Sequence, residues 1–511
     1  MVADRSISTP ISAPNATPRP LRMSHAQMYA RLLASDAAYN GRFFTGVLTT
    51  GIYCLPSCKA RKPKPENVRF FPTCEAARAA GLRPCRKCHP DDFARGADPV
   101  LEDVETLVAK VRANPAAFPD TRAIVRRSGF GPTRLFELVR QHFHTTPADV
   151  LVRARIASAK RRLLETGAGL LEIAEAAGFE SPSVFHEHFR RLNGLTPSAY
   201  RELRDAGTFT LMLPAGYPLG YLRRALSRDV HSITERLEGN RYTGAVQLST
   251  GHAILQLELS PAAVRVEIFQ PSAASLTRGA KHASGAEAHA VVVGLLGLDQ
   301  DAAAFGRLAK KLGLGRLVAG RPELRISQTP SVFDGLLWSI IGQQINFTFA
   351  CQLKRRLIER SSRPLAPGLH APPTPAAVAA LAEADLLPLQ FSRQKADYLL
   401  ATSRLIADGK LHLERLQAMS ATRAERTLLA IRGLGPWSVN YLMMRSLGFA
   451  DCVPLGDTGV TSGLQSLLKL EERPDADATR RLMAIFSPSR SLATAHLWQL
   501  NQPVPSTPPM P

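Results

Sequence analysis

Four cysteines form two close pairs in the first part of the sequence. Three residues separate Cys54 from Cys58, two separate Cys85 from Cys88, and 26 residues lie between the pairs. Each pair can present two thiolates from one turn, and two such pairs complete a tetrahedral shell around Zn²⁺. The pattern therefore predicts one zinc ion per chain, held by these four residues. The spacing leaves open whether the metal only holds a small basic fold together.

The elements that position these residues belong to a large chain. It has 511 residues, 45% of them hydrophobic, which predicts about three to five domains. Five of seven cysteines lie between Cys54 and Cys88, which favours a metal site in a reducing compartment over disulfides. The first 23 residues lack the apolar stretch of a signal peptide, and no run of about 18 apolar residues occurs. We therefore expect a cytoplasmic protein with no membrane partner.

The charge of the chain points to an anionic partner. The formal net charge is +21, and it divides evenly, with +11 in residues 1–206 and +10 in residues 207–511. Such an even distribution favours two halves that each bind a polyanion over a neutral enzyme with one basic tail. A solvated and generally basic surface is the alternative.

Changes of periodicity along the chain predict its organisation. Strands are predicted at 230–237, 244–250, 253–260 and 264–270, several of them with period-2 alternation, whereas helical periodicity precedes and follows them. The Pro-rich segment 361–377 is expected to be a long loop inside the last domain. The predicted divisions are a disordered tail 1–23, a Cys-rich domain 24–97, a helical domain 98–206, a β-rich subdomain 207–297, a helical domain 298–501 and a disordered tail 502–511.

The cysteine region resembles a known domain. Segments 44–61, 66–70 and 81–88 are similar to the N-terminal domain of Ada-type adaptive-response regulators, over about 70 residues. The resemblance implies that Cys54 accepts a methyl group from a methylated DNA phosphate. Four thiolates on zinc carry about −2 formal charge, and methylation leaves about −1, so repulsion from DNA phosphates falls and operator binding tightens. Cys74 is a spare thiol that could exchange into the shell. The basic residues expected to position the DNA backbone are Lys59, Arg61, Lys62, Lys64, Arg69, Arg83, Arg86 and Lys87.

Two helix-turn-helix patterns follow, at 120–143 and 170–200. The repeat spacing is 49 residues, from Gly129 to Gly178, and the pair resembles the DNA-binding domain of AraC-type activators. The resemblance implies that helices 132–142 and 182–192 enter the major groove. The candidate DNA-contacting residues are Thr133, Arg134, Glu137, Ser183, His186, Glu187 and Arg190. The residues expected in the core are Leu135, Phe136, Val184, Phe185 and Phe189.

Segment 428–460 carries a third pattern. Gly433 and Gly435 form a short turn between helical segments, where backbone amides can approach a DNA phosphate, and Asp457 follows Pro454 and Gly456. Together with the preceding strands, the segment resembles helix-hairpin-helix glycosylases, most closely AlkA-type 3-methyladenine DNA glycosylase II.

The resemblance implies a role for Asp457 and an aromatic cleft. A carboxylate there would stabilise the oxocarbenium-like state or orient the attacking water. Trp437, Tyr441 and Trp498 match the family's aromatic positions, which bind flipped, often cationic bases, while Trp338 is expected in the core. Gln344 occupies the position of an apolar wedge. No Pro-Cys-His-Arg run occurs, so no alkylguanine repair is expected.

Together these patterns predict a multidomain α/β mix. It contains a small zinc-bound α+β domain, an all-α tandem helix-turn-helix domain, an AlkA-like α+β subdomain and an all-α helix-hairpin-helix domain. The predicted function is irreversible methyl transfer with activation of repair genes, plus excision of alkylated purines. The expected partners are double-stranded DNA, both alkylated and promoter, and RNA polymerase, and the chain is expected to be a monomer. One alternative is a transcription factor with structural zinc and a non-catalytic glycosylase-like domain. Another is a constitutive repair enzyme without promoter specificity.

Overall fold

A computed structural model describes residues 23–36, 39–58, 60–94, 96, 98–204, 206–270, 278–503 and 505. The predicted disordered tails lie almost wholly outside these residues, as does Lys59. The described residues fall into two compact units that divide between Asp103 and Val104. Across the described ranges, no helix combines the length and apolar character needed to cross a membrane.

The first unit is built on a small sheet. Its strands are β1 (Phe44–Val47), β2 (Ile52–Cys54), β3 (Val68–Phe71) and β4 (Arg83–Pro84), and its helices are α1 (His25–Leu33), α2 (Cys74–Ala79) and α3 (Pro90–Ala94). The strand order is β3-β1-β2-β4, with β1 antiparallel to both neighbours and β2 parallel to β4. Tyr53 pairs with Pro84 in that register, so the residues that follow them, Cys54 and Cys85, become neighbours.

The second unit begins with a helical segment. Its helices are α4 (Pro99–Ala113), which crosses the division between the units, α5 (Thr121–Ser128), α6 (Pro132–Phe143), α7 (Pro147–Glu165), α8 (Leu170–Ala176), α9 (Pro182–Asn193) and α10 (Pro197–Glu202). Helices α6 and α9 match the predicted groove-entering helices within one residue. Gly129, in the left-handed conformation with φ of 70°, ends α5, as the predicted turn requires.

Two core predictions in these helices are wrong. Phe136 is 42% exposed and Val184 is 43% exposed, whereas Leu135, Phe185 and Phe189 are fully buried. Successive helical residues point about 100° apart, because an α-helix has 3.6 residues per turn. Phe136 and Val184 are each adjacent in sequence to a buried residue, so they point away from the core.

A five-stranded antiparallel sheet follows. It consists of β5 (Thr208–Met212), β6 (Glu235–Glu238), β7 (Arg241–Leu248), β8 (Gly251–Leu259) and β9 (Ala263–Phe269) in the order β5-β9-β8-β7-β6, accompanied by α11 (Leu219–Leu226) and α12 (Arg278–Leu296). Three of the four predicted strands are confirmed. The strand predicted at 230–237 is correct only near its end, because β6 begins at Glu235. One hydrophobic core joins α9, this sheet and α12, through residues such as Phe189, Leu257 and Val292.

The remaining residues are mainly helical. The elements are α13 (Ala302–Lys311), α14 (Val332–Ile341), α15 (Phe347–Ser361), β10 (Pro364–Ala366), β11 (Leu369–His370), α16 (Pro375–Ala379), α17 (Glu383–Leu386), α18 (Arg393–Ala407), α19 (Leu413–Leu416), α20 (Ala421–Leu429), α21 (Pro436–Arg445), α22 (Thr458–Leu468), α23 (Ala476–Met483) and α24 (Arg490–Leu500). The Pro-rich loop lies inside this region, as predicted, and contains the β10–β11 hairpin. Trp338 packs against the core as a partly buried residue.

Candidate functional site

The four predicted cysteines form one cluster. The Sγ atoms of Cys54, Cys58, Cys85 and Cys88 all lie within 4.8 Å of one another. Four sulfurs bound to zinc at about 2.3 Å in a tetrahedron lie about 3.8 Å apart, so the cluster fits this metal with a small contraction. Three of the cysteines are buried and Cys88 is half-buried.

Backbone amides donate hydrogen bonds to three of the sulfurs. The Leu55 amide lies 3.4 Å from Cys88 Sγ, and the Lys87 amide lies 3.4 Å from Cys85 Sγ. The Ala60 amide donates to the Cys58 sulfur. Among the described residues, no amide donates to Cys54 Sγ. The four sulfurs are therefore electrostatically unequal.

Most of the basic residues predicted around the cluster are exposed. The exposed ones are Arg61, Lys64, Arg69, Arg83, Arg86 and Lys87. Lys62 differs, because its Nζ donates to the Cys58 carbonyl at 2.7 Å and burial lowers its pKa. Lys62 therefore supports the metal loop from within the protein.

Cys74 lies outside the cluster. It is 1% exposed and packs with Phe44 and Tyr53 in the core of the first unit. Burial raises the pKa of its thiol to about 12, so the thiolate that a metal requires is scarce at neutral pH. These observations contradict the suggestion that Cys74 exchanges into the shell.

In the second unit, two tryptophans converge on Asp457. Trp498 Nε1 donates to Asp457 Oδ1 at 2.8 Å, and Trp437 Nε1 donates to Oδ2 at 3.1 Å. Asp457 is also the N-cap of α22, with Oδ1 accepting from the Val460 amide at 3.0 Å. An ionised carboxylate offers about four lone-pair sites. The three donors fix its orientation and leave room for a further partner.

The two tryptophans and Tyr441 form one aromatic cluster beside this carboxylate. Trp437 stacks on Tyr441 with centroids 5.2 Å apart and an interplanar angle of 18°, and Tyr441 lies 6.2 Å from Trp498. Helix α21 supplies Trp437 and Tyr441 one turn apart on the same face, and α24 supplies Trp498. The four residues predicted for this site therefore come together in space.

Gly459 makes the approach of Trp498 to Asp457 possible, and no sequence pattern predicted its role. A Cβ at Gly459 would lie 2.7 Å from Trp498 Cδ1 and 3.2 Å from Asp457 Oδ1. One turn along α22, a Cβ at Gly463 would lie 2.7 Å from the Leu497 carbonyl. The two glycines let α22 and α24 pack closely, and their spacing of four residues is the signal that could have revealed this contact.

The predicted turn at 433–435 joins α20 to α21. Gly433 has φ of 94°, and a Cβ there would lie 2.4 Å from the Tyr398 ring, so only glycine fits. Gly435 is the exposed N-cap of α21, and a Cβ there would meet no atom within 4 Å. The open space at Gly435 leaves this helix start accessible to an anion.

Gln344 lies in the loop between α14 and α15. It is exposed, and its φ of 56° is uncommon for a residue with a side chain. The neighbouring Gln343 was not predicted to matter, yet its Nε2 donates to the Gly433 carbonyl at 2.8 Å and to Ser438 Oγ at 3.1 Å. Gln343 thus ties the Gln344 loop to the 433–435 turn.

The predicted DNA-contacting residues lie on α6 and α9. Thr133, Ser183, His186, Glu187 and Arg190 are exposed. Arg134 is partly buried and forms an ion pair of 3.6 Å with Glu137. The structure therefore places all seven side chains where a partner can reach them, on two separate helices.

Three family models match the chain in the predicted order. The metal-binding domain of Ada matches residues 27–91, a helix-turn-helix domain matches 124–203, and the HhH-GPD superfamily of base excision DNA repair proteins matches 337–488. These matches and the fold define a multidomain DNA-binding protein with a metal-binding domain and a glycosylase domain, and they confirm the predicted resemblances and fold class.

Curated relatives match both the whole chain and its parts. The probable bifunctional transcriptional activator/DNA repair enzyme AlkA of Mycobacterium tuberculosis (strain CDC 1551 / Oshkosh) is 30% identical over 506 residues, covering 94% of this chain and 97% of its own. A DNA-3-methyladenine glycosylase of Bacillus subtilis (strain 168) is 31% identical over 40% of this chain and 68% of its own. The enzyme AdaA of the same strain is 29% identical over 35% and 82%. The chain belongs to the family of bifunctional transcriptional activators and DNA repair enzymes that carry an AlkA-type glycosylase domain.

Proposed function

We propose that this chain repairs methylated DNA in two ways. One half transfers a methyl group irreversibly from a DNA methylphosphotriester to Cys54 and then activates repair genes. The other half hydrolyses the N-glycosidic bond of alkylated purines of the 3-methyladenine type. The observation that carries the second activity is the convergence of Trp437 and Trp498 on the two oxygens of Asp457.

The cysteine cluster supports the first activity. Cys54, Cys58, Cys85 and Cys88 would hold one Zn²⁺, which keeps thiolates deprotonated at neutral pH. The Cys54 thiolate attacks the methyl carbon in line, an S–C bond forms, and the C–O bond to the phosphate breaks. The phosphate leaves as an ordinary diester anion. Because the methyl group stays on sulfur, each chain reacts once.

The hydrogen bonds favour Cys54 as the nucleophile. An N–H donor stabilises a thiolate and reduces its reactivity, since nucleophilicity falls with thiol pKa. Cys58, Cys85 and Cys88 each accept such a bond, whereas the described amides leave Cys54 without one. Within the described residues, this difference in hydrogen bonding supports Cys54 Sγ as the nucleophile, in agreement with the family resemblance.

The second activity uses the fixed carboxylate of Asp457. As the base departs, positive charge develops on the deoxyribose, and a nearby carboxylate stabilises it or orients the attacking water. The electrons of the broken N-glycosidic bond leave with the base, so a cationic base departs as a neutral purine, while water supplies a hydroxyl to the sugar carbon and a proton to solvent, leaving an abasic site. The stacked rings of Trp437 and Tyr441 offer an electron-rich face to a flipped, cationic base.

Two further elements would hold the DNA. The 433–435 turn would bind a backbone phosphate through its amides. Gln344 would fill the space that the flipped base leaves, and its left-handed backbone is the kind of strain that functional loops retain.

Promoter DNA would bind α6 and α9, and activation would require RNA polymerase as a partner. We propose that the chain acts as a monomer.

The decisive experiment uses full-length protein and DNA carrying labelled methyl groups. Wild type should release methylated bases, and Asp457→Asn should release them about 10³-fold more slowly while still accepting methyl groups from phosphates. Equal release by both proteins would exclude the catalytic assignment and favour a non-catalytic glycosylase-like domain.

The same DNA tests the acceptor. Cys54→Ala should accept no methyl group, while Cys74→Ala, outside the cluster, should behave as wild type. Because Cys54→Ala can also disturb the metal, peptide mapping of methylated wild type gives a second measurement, and a methyl group on Cys88 would contradict the proposal. Operator affinity that does not change on methylation, at fixed salt, would favour a constitutive enzyme.

A further inference from the structure

The two helix-turn-helix repeats place equivalent arginines in different surroundings. Helices α6 and α9 both begin with proline, at 132 and 182, so Arg140 and Arg190 hold the same position in each helix. Arg190 is exposed and lines an open cleft of about 770 Å³ beside α9. Arg140 is partly buried, and its guanidinium donates to the Ser487 carbonyl of the glycosylase region. Only one of the two arginines faces open space.

The end of α6 makes further contacts with the glycosylase region. His142, 5% exposed, shares a hydrogen bond of 2.9 Å with Thr422 Oγ1 at the start of α20. His144 Nδ1 accepts from the Asp451 amide at 3.2 Å, and its ring meets Phe449 edge-on at 5.7 Å. The last turn of α6 is therefore packed against protein.

Helix α4 strengthens the same contact. Arg423 donates to both carboxylate oxygens of Glu105, with Nε 2.9 Å from each, and Ser420 Oγ donates at 2.6 Å. Burial opposes ionisation of Glu105, yet these donors hold its pKa below the ordinary value. Arg112 also donates to the Ala418 carbonyl. A two-pronged, partly buried ion pair of this kind is more specific than a solvated surface pair.

The dimensions of the DNA major groove exclude DNA binding by the last turn of α6 while that turn is packed against the glycosylase region. The major groove is about 12 Å wide and 8.5 Å deep, and an α-helix with its side chains is about 10–12 Å across. A helix in the groove fills it, so a turn that another domain covers cannot enter while the contact persists. The first turn of α6, with Thr133, stays exposed, as does the face of α9 with His186 and Arg190.

We propose that the C-terminal half of α6 is a docking element for the glycosylase region, and that base and phosphate contacts of the tandem repeats fall on α9 and the first turn of α6. The two repeats thus have different tasks. This inference depends on DNA binding by the repeats and on neither catalytic activity, so loss of methyl transfer or base release would leave it intact.

Matched variants test the proposal in full-length protein. The probe is an undamaged, mixed-sequence duplex of about three helical turns, titrated at several salt concentrations. Arg190→Ala should weaken binding about threefold to tenfold and reduce the salt slope by about one. Arg140→Ala should leave affinity and slope unchanged, but should speed amide hydrogen exchange around Ser487, whose carbonyl accepts the hydrogen bond from Arg140. Equal weakening by both variants, or no weakening by Arg190→Ala, would overturn the proposal.

Two variants on the opposite side of the contact guard against local unfolding of α6. Thr422→Ala and Arg423→Gln change no residue of the repeats, yet each should speed hydrogen exchange in residues 138–144. Unchanged exchange in that segment would show that α6 is not docked, and would overturn the proposal independently of any DNA measurement.

Discussion

The metal centre and the Asp457 site are assembled in opposite ways. All four cysteines lie within 35 residues, and the parallel pairing of β2 with β4 brings their pairs together. The Asp457 site joins residues 61 positions apart, from a helix after the 433–435 turn, an N-cap and the last helix. The first site depends on a metal to complete it, and the second depends on helix packing. They should therefore fail under different perturbations.

Metal removal should have the largest effect, because it should abolish the activity of the cysteine cluster and leave the activity of the Asp457 site. Structural zinc contributes about 10–16 kcal/mol to the folding of small domains, so a chelator should abolish methyl transfer and unfold the first unit. Base release should continue, because the Asp457 site contains no metal ligand. Parallel assays of both activities, with a zinc-restored control, would check this. Loss of base release together with methyl transfer would show that the Asp457 site also depends on the metal.

Gly459→Ala should break the Asp457 site while sparing the metal centre. The new methyl group would push Trp498 from the carboxylate, and misplacement by about 1 Å can cost about 100-fold in rate. Base release should therefore fall about 100-fold with methyl transfer unchanged. Gly306→Ala is the matched control, since its Cβ would have only the Pro322 carbonyl within 4 Å, at 3.9 Å. Full activity of Gly459→Ala would show that the Trp498 contact is dispensable.

Acid should lower the free energy of unfolding of the second unit, because it favours protonation of a buried histidine that the folded state keeps neutral. His289 is fully buried, its Nε2 donates to the Asn193 carbonyl oxygen at 2.8 Å, and burial lowers its pKa to about 3. Because the folded pKa is depressed, this contribution to stability is complete above the unfolded pKa of about 6.5 and declines below it. At pH 5 the loss is about 2 kcal/mol.

Denaturant unfolding at pH 7 and pH 5 measures that loss. His289→Leu should be less stable at pH 7 but should lose about 2 kcal/mol less between the two pH values than wild type. An unchanged pH dependence in His289→Leu would contradict this account.

Gln344→Ala should give the smallest effect. Loss of one polar contact in the space left by a flipped base is worth about 1 kcal/mol, or roughly fivefold in affinity. Binding to an abasic-site duplex should weaken by that factor, with no change for undamaged DNA. Gln390→Ala is the matched control, because Gln390 is also exposed, with φ of 71°. If both variants behave alike, Gln344 has no role as a wedge.

These differences explain what the sequence could and could not predict. The spacing of Cys54, Cys58, Cys85 and Cys88 defines a metal site almost by itself, because ligand type and local turns suffice. Gly459 was missed, because its importance depends on how closely α24 approaches α22, a tertiary property. Phe136 and Val184 were misplaced because a helix-turn-helix pattern contains more apolar residues than its core face accommodates. The strand predicted at 230–237 begins too early because β-propensity depends on pairing, and the paired register of β6 with β7 starts at Glu235.

The hydrophobic core shared by α9, the five-stranded sheet and α12 limits how the chain can be divided. Phe189, Leu257 and Val292 belong to one buried cluster that spans the predicted division at residue 206. A regulator truncated there would expose that surface to water, and exposed apolar patches promote aggregation. Exchange of the glycosylase half for another module therefore requires that the helix-turn-helix helices be exchanged with it, because both lie in the one compact unit that begins at Val104.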